Sequence, residues 1–492
     1  MSLDKKFLLK ALLQYNYFPS QKKNKEELPP LLNSKSLTPE ISEKLINLRA
    51  RKSGYDQIEY KLTRYNNVPR PLSIPHPVPY AKLCHSLHDN WEKMEYITQT
   101  ENSIIIPQKH SDGRIIIMDY ENSKKQIKRH IKLSFNKRFY VNTDISNFYP
   151  SIYSHSIPWA LVGFDEAKQK KNRRNEWFNK IDEYQRLTKR NETNGVPIGP
   201  ATSNIISELI LARIDKKLKD EGFDFIRLID DYTAYLDTYE EAEKFIRRLL
   251  EELSEYKLLL NVKKTIIEQL PSPSSAEWIV DLTTRMPDKG NIRHTNMIRF
   301  LDYAVTKQAI SLDGSILKYA VKSIIYDVKG DLPELLLQYL LGLCKKYPIL
   351  LPLLDILFEK IKFNSGFPYT DQLLKILDEH AINKRSDAMT WTLYYLNKFS
   401  QQIPKERAKV VIGSKDCIPI LFLYLSGQYH SEVMDFCNNL DKSDFFTLDQ
   451  YWLLLYQLFF DGKISNPYNN DNDRGKGFNT LKNEGVSFIE SK

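Results

Sequence analysis

Apolar positions along this chain of 492 residues recur with two different periods. Between about Arg114 and Leu270, short β-rich runs (RIIIM, KRFYVNTDI, FDFIRLI, YTAYL) alternate with stretches of helical spacing. Tyr239 to Tyr256 is the clearest of the latter, with Ala242, Phe245, Ile246, Leu249, Leu250 and Leu253 three or four apart. Strands mixed with helices predict an α+β domain whose sheet is covered by helices on one face. From Arg293 onward the strand-like alternation disappears. Helical spacing predicts successive helices over Ile298–Gln308, Ile316–Tyr326, Leu332–Lys345, Ile349–Lys362, Asp371–His380, Asp387–Phe399, Cys417–Leu425, Ser431–Asn438 and Leu448–Phe460. Loops with Gly, Pro or Asn separate most of them, which predicts an all-α, HEAT-like array of paired helices with an irregular period.

Punctuation divides the chain further. An N-terminal helix, Leu3–Leu13, precedes the polar, proline-containing Gln21–Glu40, expected as an exposed connection. Five prolines between Pro69 and Pro79 predict extended, non-helical chain. PSPSS, Pro271–Ser275, separates the mixed region from the helical one, and the tail from Asn466 (NPYNNDNDRGKG) is polar and expected to be loose at the end. The expected domains are residues 1–60 (helical extension), 61–275 (the α+β unit) and 290–492 (the helical array), and a chain of this length accommodates about three.

With 42% hydrophobic and 27% charged residues the chain is globular, which excludes wholesale disorder. Its formal net charge of +9 is compatible with an anionic partner. Cys84, Cys344, Cys417 and Cys437 form no CxxC pair, which excludes a disulfide scaffold and a Cys-based zinc knuckle and fits a reducing cytosol. The N-terminus has no signal-peptide pattern, and the longest apolar stretches are too short to span a bilayer. The expectation is a soluble, cytoplasmic protein without a membrane partner.

Four segments carry candidate chemistry. In VNTDISNFYPSIY a strand runs into Asp144, and a carboxylate at a strand end is a ready divalent-metal ligand or, equally, a turn cap. In FDFIRLIDDYTAYL two apolar half-strands flank Asp230 and Asp231, which predicts a tight hairpin with two mutually repelling acids at its tip. Either the pair is a solvated turn or a cation relieves the repulsion. In NGVPIGPATSN, Gly195 and Gly199 permit close backbone approach around Pro197, and Pro200 suits the first turn of a helix over Ile205–Leu218. In LLLNVKKT, Lys264 sits at a turn where it either meets a phosphate or is solvated.

The order Asp, Gly-x-Pro-x-Gly, Asp-Asp and Asn-x-x-Lys-Thr resembles motifs A to D of the reverse-transcriptase palm, and RPLSIP, Arg70–Pro75, resembles a fingers segment of the same family. The resemblance covers Val68 to Leu270. The extension HSIPW, His155–Trp159, and the long helical C-terminus are similar to the abortive-infection, AbiK-like phage-defence branch, of the type carried by P2-like prophages. Two positions depart from the family: Leu228 stands where an aromatic precedes the Asp pair, and Ile198 where a Gln precedes the second glycine of motif B. Both positions touch primer or incoming nucleotide in relatives.

The resemblance implies reverse-transcriptase-like fingers and palm, and synthesis of DNA from dNTPs. Two Mg2+ ions, with Mn2+ as an alternative, would be held by Asp144, Asp230, Asp231 and the Ile145 carbonyl. Asp144, Asp230, Asp231 and Lys264 would be catalytic, with Lys264 meeting the leaving pyrophosphate. Tyr149 matches the sugar-gate position that discriminates against a 2′-hydroxyl, a core tyrosine being the alternative. Arg70, Ile145, Pro197 and Gly199 would line the substrate site. The branch implies template-independent, protein-primed synthesis in antiphage defence, a single-stranded DNA product left covalently attached, and a homo-oligomer, trimer or hexamer. A templated polymerase of retroelement type and a non-catalytic scaffold are the alternatives. Tyr15, Tyr17, Ser34, Ser36 and Thr38 are candidate priming hydroxyls. Two basic clusters, Lys124, Lys125, Lys128, Arg129 and Lys132 with Lys137 and Arg138, and Lys168, Lys170, Lys171, Arg173 and Arg174, read either as phosphate contacts or as solvated faces. His155 and Trp159 either shape the palm or act in it.

Overall fold

A computed structural model describes residues 3–64, 68–118, 123–311, 316–364, 366–468 and 475–490. The Lys124 side chain lies outside what is described. Two sheets are present among these residues. A hairpin pairs β1 (Gln57–Thr63) with β2 (Pro69–Pro75), and a four-stranded antiparallel sheet has the order β4-β5-β3-β6, with β3 Phe139–Asp144, β4 Phe225–Leu228, β5 Asp231–Leu236 and β6 Ile266–Gln269. Alternation fixes the faces of the larger sheet: Val141, Thr143, Phe225, Tyr232 and Ala234 are buried, while Asn142 stands exposed. Helices Ala201–Asp220 and Tyr239–Glu255 carry the facing apolar positions, Ile210, Ile214, Phe245 and Leu249 among them. The expected α+β unit followed by a helical C-terminal region is what forms.

Each helix expected beyond Arg293 is present, Cys417–Leu425 with the expected ends and the others with ends shifted by a few residues, and two of them break. Pro352 lies in the 3-10 turn Pro348–Leu353 that precedes helix Leu354–Lys360, and helix Phe445–Gln450 stops one residue before Trp452–Phe460. The array also starts earlier and contains more than periodicity predicts, with added helices at Glu277–Arg285, Lys405–Gly413 and Gly475–Asn483. No helix among the described residues is long and apolar enough to cross a membrane.

Several expectations at the boundaries are corrected. Pro69–Pro75 is extended, but helix Pro77–Asp89 begins with two prolines, because its first N–H groups need no intrahelical acceptor. Gln21–Glu40 is not an exposed connection. Leu28, Leu32 and Leu37 are buried, and Glu26 is clamped by Lys318 and Lys322 of the helical array. Of the tail expected to be loose, residues 469–474 lie outside the described residues; past them Phe478, Leu481, Val486 and Phe488 enter the core. The boundary at residue 60 falls inside β1, and the N-terminal segment shares one core with the fingers hairpin and the C-terminal end. There Tyr17 stacks on Tyr80 at 4.0 Å, and both Tyr17 and Phe18 lie against Trp452 and Phe488.

Candidate active site

Strand register brings the carboxylates together. β3 and β5 run antiparallel with Asp144 opposite Asp231, and β4 turns into β5 through Ile229 and Asp230. Asp144 and Asp231 leave the sheet on the side opposite the helices, as their spacing by two from Asn142 and Thr233 requires. Ile229 adopts φ +62°, a left-handed conformation disfavoured for a β-branched residue and costing about 1–3 kcal/mol. That turn aims Asp230 at Asp144, and its carbonyl accepts the Ile145 N–H at 3.2 Å.

A buried ion cluster beneath the hairpin holds this turn. Arg227 is fully buried. Its Nη1 donates to Glu208 Oε1 at 2.8 Å and to the Ile229 carbonyl at 2.8 Å. Its Nε and Nη2 reach Asp215 Oδ2 at 2.9 and 2.7 Å. The Tyr232 hydroxyl donates to Asp215 Oδ1 at 2.9 Å. Two buried carboxylates thus face one guanidinium, whose planar fork satisfies both and still reaches the turn.

The fourth motif serves Asp144 directly. Asn261 N–H donates to the Asp144 carbonyl at 2.7 Å, and Thr265 and Thr143 share a hydroxyl contact at 2.7 Å. Lys264 Nζ, on a largely exposed side chain, donates to Asp144 Oδ2 at 2.6 Å. Lys264 therefore meets the acid cluster itself, and this hydrogen bond raises the pKa of its ammonium.

Charge crowding is the dominant electrostatic fact. Burial, then Asp231 and Asp144, push the Asp230 carboxyl up to about 7. Burial and the Asp144 charge raise Asp231 too. Among the described residues no three His, Cys, Asp or Glu side chains form a ready-made metal cage. The donor set nevertheless suits a hard divalent cation: three oxygen-donor carboxylates at one strand end, balanced by one lysine. Asp144, Asp230 and Asp231 would hold such an ion, which would supply Lewis-acid stabilisation of a transferring phosphoryl group. Ile145 is buried, so any part it plays is through its backbone.

Tyr149 is buried, and its hydroxyl accepts from Asn204 Nδ2 at 2.9 Å. Burial, then the Asp230 charge, raises its pKa, with Arg70 on β2 opposing, so Tyr149, Asp230 and Arg70 share one electrostatic environment. The motif-B glycines answer to the protein's own chain. Gly199, φ +132°, faces Pro19, where an added Cβ would come within 2.8 Å of Pro19 Cγ. Gly195, φ +80°, would meet Lys189 Nζ at 2.9 Å. Ser73 N–H donates to the Ile198 carbonyl at 2.7 Å, and Gln21 Nε2 donates to the Gly199 carbonyl at 2.6 Å and to Asn204 Oδ1. Pro197 is buried in the same loop, and Pro200 is the residue preceding a helix that begins at Ala201, four residues before its expected start.

Tyr17 is not a free priming hydroxyl, since it is fully buried and donates to the Pro75 carbonyl. Ser34 is buried, and the Ser36 hydroxyl donates to the Ser487 carbonyl. His155 is fixed by Asp182, Nδ1 to Oδ2 at 2.8 Å, and Trp159 packs on Tyr153 with ring centroids 5.7 Å apart. The Arg227–Glu208–Asp215 cluster went unread. Its signal was two acids seven apart on the apolar face of ISELILARID.

Residues 79–303 match the family model described as reverse transcriptase (RNA-dependent DNA polymerase), a span that includes motifs A to D. The chain thus carries a reverse-transcriptase domain over those residues. No curated protein matches. Solved structures similar to it include apo telomerase from Candida Tropicalis truncated from its C-terminal domain, 11% identical, covering 46% of this chain and 52% of that one, with a TM-score of 0.32. Apo telomerase from the same organism is 9% identical and covers 80% of this chain and 69% of that one, with a TM-score of 0.31. The chain spans about half the length of the first of these.

Proposed function

We propose that this reverse-transcriptase-type polymerase builds DNA from dNTPs without a template, primed by a protein hydroxyl, as an antiphage abortive-infection enzyme using two Mg2+ ions. The observation that carries polymerisation is the register-paired Asp144 and Asp231 with Asp230 turned toward them. In nucleotidyl transfer Asp144, Asp230 and Asp231 would hold the cations, whose Lewis acidity would supply stabilisation of the charge on the attacking and leaving oxygens.

Template independence is supported by the covering of the motif-B loop. Pro19 and Gln21 lie on Gly199, and Ser73 of β2 bonds Ile198, so the chain's own residues cover the face that relatives present to primer and nucleotide. Leu228 removes the aromatic ring that in relatives precedes the Asp pair. The defence role rests on the resemblance of HSIPW and of the helical C-terminus to the abortive-infection branch, as do covalent attachment of the product and assembly into a trimer or hexamer.

The deciding experiment incubates purified full-length protein with Mg2+ and labelled dNTPs, without template or primer, and resolves the product on a denaturing gel before and after protease. Label that migrates with the protein and is released by protease supports the reading. Incorporation only on an added annealed RNA template replaces it with the retroelement alternative, and light scattering of the same sample reads the assembly.

A further inference from the structure

A cavity of about 710 Å3 lies apart from the catalytic carboxylates: none of Asp144, Asp230, Asp231 and Lys264 lines it. Its walls are the turn at Ala50–Lys52, helix Ser156–Val162, the stretch Ala167–Arg174 and helix Trp177–Leu187. The volume falls within the range of about 300–1,000 Å3 typical of small-ligand sites.

Cations set its character. Lys52, Lys168, Lys171 and Arg174 line it, are exposed, and have no carboxylate within salt-bridge distance among the described residues. Their sequence neighbours Lys170 and Arg173, in contrast, pair with Glu166 and Glu176. Asp182, a lining acid, is already taken by His155 at 2.8 Å and Arg186 at 3.3 Å, and Arg51 by Asp449. Glu183 is the one lining carboxylate without an ion-pair partner among the described residues. Trp159 adds one aromatic ring to the lining, with Phe164 beside it outside the lining. Lys168 Nζ lies 5.2 Å from the Trp159 ring centroid and 5.3 Å from that of Phe164, which is 54% exposed.

Four like charges converging on a concave surface repel each other until a polyanion neutralises them and releases its counterions. Lysines and an arginine lining one cleft from separate segments suit several phosphate oxygens at once, and Phe164, an exposed ring against the lining Lys168, offers beside it a face on which a base can stack. We propose that this cleft is a second, non-catalytic site that binds a run of phosphates, carried by a free nucleoside triphosphate or by a single-stranded polynucleotide. The proposal stands apart from polymerase chemistry and invokes no step at Asp144.

The test uses full-length protein in EDTA, with fluorescent ATP and a short fluorescent oligothymidylate as the two probes. Lys171→Glu with Arg174→Glu, both in an exposed stretch, is expected to weaken at least one probe by about tenfold or more and to reduce the slope of log affinity against log salt by about two. Lys52→Glu, from the separate turn at Ala50–Lys52, is expected to act in the same direction. Loss confined to ATP identifies free nucleotide as the source, loss confined to the oligonucleotide identifies a strand, and loss of both shows the shared phosphate chemistry. Asp230→Asn is expected to bind both probes as the wild type does. Unchanged binding by the charge-reversed variants, or binding abolished by Asp230→Asn, overturns the proposal.

Discussion

Arg227 reaches past the end of its own strand and donates from Nη1 to the carbonyl of Ile229 at 2.8 Å, the residue whose left-handed φ turns the chain into Asp230. The acidic hairpin is therefore held from below by an ion cluster rather than by its turn sequence. Arg227→Met would leave Glu208 and Asp215 buried without their cation, a loss of about 3–5 kcal/mol. Arg227→Lys keeps a charge but cannot fork to two acids and a carbonyl. It is expected to recover part of the stability while synthesis stays at least about tenfold down. Urea denaturation beside single-turnover incorporation measures both. A wild-type midpoint for Arg227→Met would show the cluster to be idle.

Asp230→Asn and Asp144→Asn are each expected to abolish synthesis with the circular dichroism spectrum intact, and the double variant to be little worse than either. Carboxylates that hold one metal cluster act as a unit, so their losses do not add. More than about a tenth of wild-type activity in either single variant would contradict the assignment.

Tyr149 shares its surroundings with Asp230 and Arg70. Tyr149→Ala is expected to raise NTP incorporation relative to dNTP, since the ring that would meet a 2′-hydroxyl is gone. Tyr149→Phe, which keeps the ring and loses the hydroxyl's contacts with Asn204 and Ser207, is expected to keep the wild-type ratio. Competition between labelled ATP and dATP measures it, and a ratio unmoved by Tyr149→Ala makes the residue a packing tyrosine.

Cation binding should follow the protonation of Asp230. Its carboxyl is raised from 3.8 to about 7, so the metal-free native state keeps a proton that the unfolded chain releases. That contribution to stability is complete below about 4 and is lost as pH rises through about 7. A divalent cation needs the ionised form, so Mg2+ affinity is expected to rise about tenfold per pH unit up to about 7 and then level off. Thermal shifts with and without Mg2+ across pH 5 to 9 test this. An affinity flat across that window would remove Asp230 from the cation site.

The legible parts of this chain were those written in local periodicity. The apolar runs of β3 and β5, Asp144 at a strand end, the acid pair at a hairpin and the helices beyond Arg293 all follow from spacing along the chain. What stayed hidden depends on partners distant in sequence. Gly199 reads as room for a ligand, yet Pro19 fills it. Tyr17 reads as an N-terminal hydroxyl, yet Tyr80 and Trp452 enclose it. The prolines at 77 and 79 read as helix breakers because the pattern does not mark which residue starts the first turn. Glu208 and Asp215 gain their meaning only when Arg227, on another element, is placed between them.

The helical C-terminus reads from sequence as an addition to the palm, but its contacts make it a clamp on the fingers. Trp452 Nε1 donates to the Ile74 carbonyl of β2 at 3.1 Å, Asp387 accepts the Thr63 N–H and hydroxyl of β1 at 2.8 Å each, and Asp449 accepts the Asp56 N–H at 2.9 Å while pairing with Arg51. The indole also closes the aromatic cluster of Tyr17, His76 and Phe488. Removing it creates a cavity at the junction of three segments, and Trp452→Ala is expected to cost about 3–5 kcal/mol. Deletion from Phe445 onward removes the indole, Asp449 and Phe488 together. The fingers hairpin of that protein is expected to be cut rapidly between residues 50 and 75 in limited proteolysis, with synthesis lost. For the full chain, urea should unfold fingers and array in one transition, because neither buries its apolar face alone. A fragment ending near residue 290 that unfolds cooperatively at the wild-type midpoint would show instead that the array is an appendage.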